Sequence, residues 1–172
     1  MHQQHESRLE PGWLFDTFVD GVYTLAYRIV RDRNYAEDVV QETFIKVIGS
    51  IGTYRGEGPI AAWIYRIAYR ESITITRRRI EEPLDPTEAM VRADRATKSV
   101  EDEVLCGELA GLLDEAIGAL SEPVRAAFVL RDIEGLSTAE VASALNVSAS
   151  AVKMRLARAR ESLRVQLEEY LT

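Results

Sequence analysis

Residues 137–160 read STAEVASALNVSASAVKMRLARAR. Ser137 and Glu140 stand in a capping-box pattern, in which each side chain satisfies a backbone donor at the other, and the helix they start runs through Val141, Ala142 and Leu145. Asn146 supplies a turn and Ser148 caps a second helix, whose apolar stripe Val152, Leu156, Ala159, Leu163 and Leu167 carries it to about Glu169. A short capped helix, a tight turn and a longer helix read as helix-turn-helix, with Ala142 small enough to let the two helices approach closely. Between 148 and 164 there are five basic residues against one acidic, a local charge of +4 that suits phosphate. If the second helix enters a major groove, its N-terminal half presents Ser148, Ser150, Lys153, Arg155 and Arg158. The competing reading is an arginine-rich face that merely solvates a bundle.

Working back from this pair, Val124 to Ile133 predicts a helix closed by Gly135, and Ser121-Glu122-Pro123 predicts its capped start with proline in the first turn. A further helix from near Val100 passes through Leu105, Leu109, Leu112, Leu113, Ile117 and Leu120. Before it, Glu81 to about Ser99 is polar, acidic and poor in aromatic residues, as a linker is. The organisation expected is a flexible tail over 1–12, a helical domain over 13–80, an acidic linker over 81–100 and a second helical domain over 101–172. Apolar residues from Leu14 to Ile51 fall at helical spacing with a break at Asp32 to Asn34, so the first domain opens with two amphipathic helices. Gly49, Gly52, Gly56, Gly58 and Pro59 mark a loop, and a third helix resumes from Ile60 to Ile75 and runs into Arg77, Arg78 and Arg79. No strand signal of any length is present, and the fold class is all-α.

That third helix interleaves Trp63, Tyr65 and Tyr69 with Arg66, Arg70, Arg77, Arg78 and Arg79, against which only Glu71 is acidic between 60 and 80. Rings that stack on unpaired bases beside arginines that follow a backbone make a platform for single-stranded nucleic acid. The bland alternative is that Trp63 and Ile67 are core and the arginines solvate. A third patch, Glu37-Asp38-Val39-Val40-Gln41-Glu42-Thr43-Phe44, is an acidic helix face with an apolar edge.

The net charge of -7 over 172 residues argues against nucleic acid only as an average. Residues 1–80 hold 11 basic and 10 acidic side chains, 81–122 hold 3 and 12, and 123–172 hold 7 and 6. Two near-neutral segments with basic helices therefore flank a strongly acidic one, which would discourage DNA binding by repulsion or by lying against those helices. With 47% apolar residues the chain can build a core, and wholesale disorder is excluded. The single cysteine, Cys106, reads as a small core residue; His2 and His5 lie in the tail and are weak metal candidates. No apolar run reaches the roughly 18 residues of a membrane span, so a cytoplasmic protein without membrane contact is expected. No phosphate loop, nucleophile elbow, histidine dyad or metal-ligand spacing is found, so no catalytic residue, metal or cofactor is expected.

In this order and spacing the motifs resemble an extracytoplasmic-function (ECF) sigma factor, the small two-domain class of bacterial RNA polymerase initiation factors. The resemblance rests on Tyr35 to Phe44, Tyr54-Arg55-Gly56-Glu57-Gly58-Pro59, Ala62 to Ala68, Leu120-Ser121-Glu122-Pro123-Val124-Arg125 and Ser150 to Arg160, and extends from about Leu14 to Leu167. It implies that Asp38, Gln41, Glu42 and Phe44 dock on the coiled coil of the polymerase beta-prime subunit, and that the second domain meets the beta flap. It implies that Tyr54 and Arg55 belong to a loop receiving a flipped promoter base, and that Trp63, Tyr65, Arg66, Tyr69, Arg70, Arg77 and Arg78 recognise and melt the -10 element. Ser148, Ser150, Lys153, Arg155 and Arg158 would read the -35 element, and an anti-sigma factor would control the protein. The chain departs from the family pattern at Arg70, commonly Asn, and at Thr74, commonly Asp. The competing function is a stand-alone helix-turn-helix regulator with a sensing or dimerising first domain; a small hydrolase or nucleotide-modifying enzyme finds no acid, base or metal cluster.

Overall fold

The computed structural model describes residues 10–81 and 106–171, and all secondary structure among them is helical. Most of the acidic linker, His2 and His5 lie outside the described residues, as does the side chain of Cys106.

Helix α1, Pro11–Val30, starts three residues earlier than the apolar spacing suggests, because Pro11 is pre-set for the first helical turn. It ends at Arg31, left-handed at φ 55°, whose N–H donates to the Tyr27 carbonyl. Asp32 then caps α2, Arg33–Ser50, by accepting from the Tyr35 N–H at 3.1 Å, so the predicted break is a two-residue corner. A short 3-10 turn, Ile51–Thr53, leads into the glycine loop, and α3 runs over Ile60–Glu81. Helices α1, α2 and α3 pack mutually into the first unit.

The second unit holds α4, Cys106–Ala119, α5, Glu122–Phe128, α6, Thr138–Leu145, and α7, Ala149–Leu171. The single helix expected over Val124 to Ile133 is in fact two pieces: beyond Phe128 the chain widens into a π turn over Val129–Ile133, with the Glu134 N–H reaching back five residues to the Val129 carbonyl at 2.9 Å. The Leu136 N–H closes on the Leu130 carbonyl at 3.0 Å while Gly135 takes φ 75°, which only glycine adopts at no steric cost. The Ser121 side chain makes no capping bond, contrary to expectation; its carbonyl accepts from Val124 and Arg125, and Pro123 sets the first turn. The capping box is formed, with Ser137 N–H to Glu140 at 2.8 Å and Glu140 N–H to Ser137 at 3.2 Å. Asn146 turns left-handed at φ 54°, and Ser148 caps α7 through the Ala151 N–H at 3.1 Å.

The two units are not separated among the described residues. One apolar cluster includes Leu14, Leu25, Phe44, Ile64 and Ala68 of the first and Leu130, Val141, Leu145, Val152 and Leu156 of the second. Helix α6 lies along α3, and α5 packs on α1.

Candidate nucleic-acid interface

Helix α7 sorts its arginines. Arg160 grips Asp132 through two bonds of 3.1 and 2.8 Å, and Arg164 is held by Glu161 and Glu168. Lys153, Arg155 and Arg158 form no ion pair with any described residue, and Lys153 and Arg158 are exposed, as are Ser148 and Ser150. The buried stripe Val152, Leu156 and Ala159 holds this helix against the unit's core, so Lys153 and Arg158 stand on its outer side near the N-terminus, while Arg155 is partly buried and acts electrostatically on Tyr69 of α3. Cations without internal partners are the ones free to displace counterions from a phosphate backbone.

Helix α3 carries the second basic face, and the structure divides it differently from the sequence. Trp63 is half-buried with its ring centroid 5.4 Å from that of Tyr54, whose hydroxyl donates to the Gly58 carbonyl and folds the loop back. With Arg55, Pro59 and Arg66 they line a cleft of about 230 Å³. Tyr65, expected on the open face, is 4% exposed and belongs to the core. Its ring lies perpendicular to that of Phe18, and burial leaves it unavailable to a base in this arrangement. Arg70 is exposed, Arg77 pairs loosely with Glu81 at 3.8 Å, and Arg79 lies 5.3 Å over the Tyr35 ring and donates to the Val30 carbonyl.

The acidic face of α2 is likewise revised. Asp38, Gln41 and Glu42 are exposed and line a cleft of about 330 Å³ shared with Arg78 and Arg79 from α3. Phe44 is 4% exposed and meets Phe15 edge-on. The apolar groups on the outside of this helix are Ile45 at 63% and Ile48 at 48% exposure, and Ile45 continues the Asp38, Gln41, Glu42 face one turn on.

The second unit covers part of α3. Arg66 donates to the Ser143 carbonyl at 2.9 Å and to its hydroxyl at 2.8 Å, the Tyr65 hydroxyl donates to Glu134 at 2.9 Å, and that of Tyr69 to Glu122 at 2.6 Å. Burial and the neighbouring carboxylates raise both phenols above their ordinary pKa, which keeps them as neutral donors. At the other end Asp114 pairs with Arg28 and, at 3.1 Å, with Arg31. Arg125 donates to the Arg28 carbonyl at 2.9 Å and to the Gly118 and Leu120 carbonyls at 2.8 and 2.7 Å.

Residues 14–80 match the model of Sigma-70 region 2, and residues 110–163 match that of Sigma-70, region 4. The chain is 32% identical over 166 residues to the ECF RNA polymerase sigma factor SigW of Bacillus subtilis, covering 91% of this chain and 88% of that one. This chain belongs to the ECF sigma factors. It is also 32% identical over 155 residues to the RNA polymerase sigma-H factor of Pseudomonas aeruginosa, covering 86% and 80% of the two chains. In fold it is similar to the sigma factor RpoE in the co-crystal with the anti-sigma factor NepR from Bartonella quintana, with a TM-score of 0.70 at 20% identity over 91% of this chain and 96% of that one. A TM-score of 0.66 at 23% identity relates it to CnrH in complex with the cytosolic domain of CnrY, over 92% and 88% of the chains.

Within this sigma factor, sequence reading assigned no role to Glu122, Glu134, Ser143, Asp114 or Arg125, each of which touches the first unit. Glu122 and Arg125 carried a signal, since both belong to the Leu120 to Arg125 motif. Among the described residues of the acidic segment, Asp114 pairs with Arg28 and Arg31 of α1 and Glu122 accepts from Tyr69 of α3. No described helix is long and apolar enough to cross a membrane.

Proposed function

We propose that this protein binds core RNA polymerase and directs it to a subset of promoters, with α7 reading the -35 element and α3 with the Tyr54 loop capturing the melted -10 strand. The observation that carries the reading is the placement of Lys153, Arg155 and Arg158 on α7 without an acidic partner among the described residues, in a chain whose other basic helix sets Trp63 beside Tyr54 of the preceding loop around a cleft. The division of labour follows from chemistry. A major groove distinguishes all four base pairs and admits a helix, so duplex is read by α7. A base already out of the stack needs an aromatic surface and a hydrogen-bonding pocket, which Trp63, Tyr54 and Arg66 supply. Exposed Asp38, Gln41, Glu42 and Ile45 give the polymerase a charged patch with an apolar centre, with Ile45 in the part expected of Phe44. An anti-sigma factor is a further partner on this reading, and bond-making belongs to the polymerase.

The test is run-off transcription with core polymerase on a promoter library. Discrete start sites preceded by two common elements are expected. Tight binding to duplex DNA without polymerase, and no initiation with it, would favour the stand-alone regulator instead.

A further inference from the structure

The exposed side of α7 changes character along its length. Between 160 and 168 it is held by ion pairs, Arg160 with Asp132 and Arg164 with Glu161 and Glu168. Between 149 and 158 the exposed residues are Ala149, Ser150, Lys153, Met154, Ala157 and Arg158, with no acidic group among them. At about 100° per residue, Met154 and Ala157 lie within about 60° of each other with Ser150 between them, opposite the buried stripe of Val152, Leu156 and Ala159. Lys153 and Arg158 then flank that line by about 70° on either side. Arg155, partly buried and acting on Tyr69, lies off this face. The centre of the face is therefore small or apolar, and its cations stand at the edges.

That arrangement matches a major groove in cross-section. Flanking cations reach phosphates on the two walls, and the middle of the helix meets base edges. The middle offers little hydrogen bonding, since Ala157 has no polar side-chain atom and the Met154 thioether is only a weak acceptor. Met154 nevertheless leaves 58% of its surface in water until something covers it. Among the groups that bases present in the major groove, the 5-methyl of thymine is the one an apolar side chain complements. From Ser150 to Ala157 the helix rises about 10.5 Å, or about three base pairs at roughly 3.4 Å each. The next residue on this line is Glu161, already paired with Arg164, which closes the face. Resting on the proposed function above, we propose that Met154 is a specificity-determining residue of α7: it packs on the methyl group of one thymine in the -35 element, with Ala157 letting the helix sit close on the neighbouring pair. Lys153 and Arg158 supply phosphate contacts that hold Met154 at that depth and carry no sequence information directly.

The test uses holoenzyme formed with the full chain, on a promoter selected by run-off transcription. Each thymine of the -35 element is replaced in turn by uracil, which removes the methyl and leaves every hydrogen-bonding group in place. Competition binding is then measured for wild type, Met154→Ala and Met154→Leu. One thymine is expected whose replacement weakens wild-type binding about fourfold, the effect of withdrawing one methyl-sized group from burial. Met154→Ala should bind the thymine promoter less tightly by at least about the same factor, be indifferent to that replacement and keep the wild-type salt slope. Met154→Leu, apolar and of similar size, should keep the methyl dependence. Because Met154 is exposed, the alanine variant should also keep the wild-type Tm, so a loss of binding is not a loss of fold. A -35 element without thymine, a wild type indifferent to every methyl, or a methyl effect undiminished in Met154→Ala overturns the assignment. Failure of the wild type to initiate on any promoter of the library instead removes the promoter reading on which the assignment rests.

Discussion

Replacing Arg125 by Met keeps the length of the side chain and removes its fork. In the native protein that fork ends on three backbone carbonyls, of Arg28 near the end of α1 and of Gly118 and Leu120 at the end of α4, at 2.7 to 2.9 Å. These are helix-terminal acceptors, where a cation also meets the negative end of the dipole. Hydrogen bonds from a charged donor are worth about 1.5–3 kcal/mol each, which sets a ceiling of about 4–9 kcal/mol for three. The site is partly exposed, so water recovers part of each bond, and the Arg125 Nε is buried without a partner in the native state, a cost of about 1 kcal/mol that Met removes. A net loss of about 3 kcal/mol follows. For a chain of this size that lowers Tm by about 6–12 °C. Urea unfolding followed by far-ultraviolet circular dichroism measures it. Arg125→Lys should recover little, because one ammonium cannot address acceptors on two helix ends at once. A Met variant within 1 kcal/mol of wild type, or a Lys variant equal to it, would refute this account of the joint.

Three other outcomes follow from the same geometry. Hydrogen bonds from the Ser137 side chain and backbone hold the Glu140 carboxyl below its ordinary value of 4.5, so this contribution is complete above that pH and is lost as pH falls through the lower folded value; Ser137→Ala should cost about 1 kcal/mol at neutral pH and flatten the acid limb of the stability curve, and an unchanged limb would contradict it. Lys153→Ala and Arg158→Ala should each reduce the salt slope of duplex binding by about 1, and an unaltered slope would place the phosphate contacts elsewhere. Asp38→Ala with Ile45→Ala should weaken binding to core polymerase by about 1–3 kcal/mol with thermal stability retained, and Phe44→Ala should instead destabilise the fold by about 3–5 kcal/mol; the reverse pattern would return the docking role to Phe44.

Helix positions were legible because amphipathic spacing and capping chemistry are local. The break at Asp32, the box of Ser137 and Glu140 and the cap of Ser148 all act within four residues of themselves, and each forms. The π turn at Val129–Ile133 escaped because its apolar run suits an α-helix equally well, and only Gly135 hinted at the end. On α2, spacing gave an apolar edge but could not decide which of Phe44 and Ile45 faces inward, since they are neighbours in sequence and 100° apart on the helix. Tyr65 and Tyr69 show the wider reason. Aromatic residues among arginines signal an interface, but the same pattern serves a strand of DNA or a second domain, and Glu122, Glu134 and Ser143 look like ordinary solvated residues until the units are brought together. Which stripe of a helix is buried is a property of that helix; what buries it is a property of the whole chain.

The central claim is that α3 opens and holds the -10 strand while α7 anchors the -35 duplex. Its most direct test is permanganate reactivity of unpaired thymines beside footprinting of the -35 region, on one promoter bound by holoenzyme carrying either wild-type protein or Trp63→Ala. The account predicts that Trp63→Ala leaves the -35 protection in place and suppresses thymine reactivity at the -10 element by about tenfold, in line with a stacking contribution of about 1–3 kcal/mol. Thymines as reactive as with wild type, or loss of the -35 protection, would contradict it.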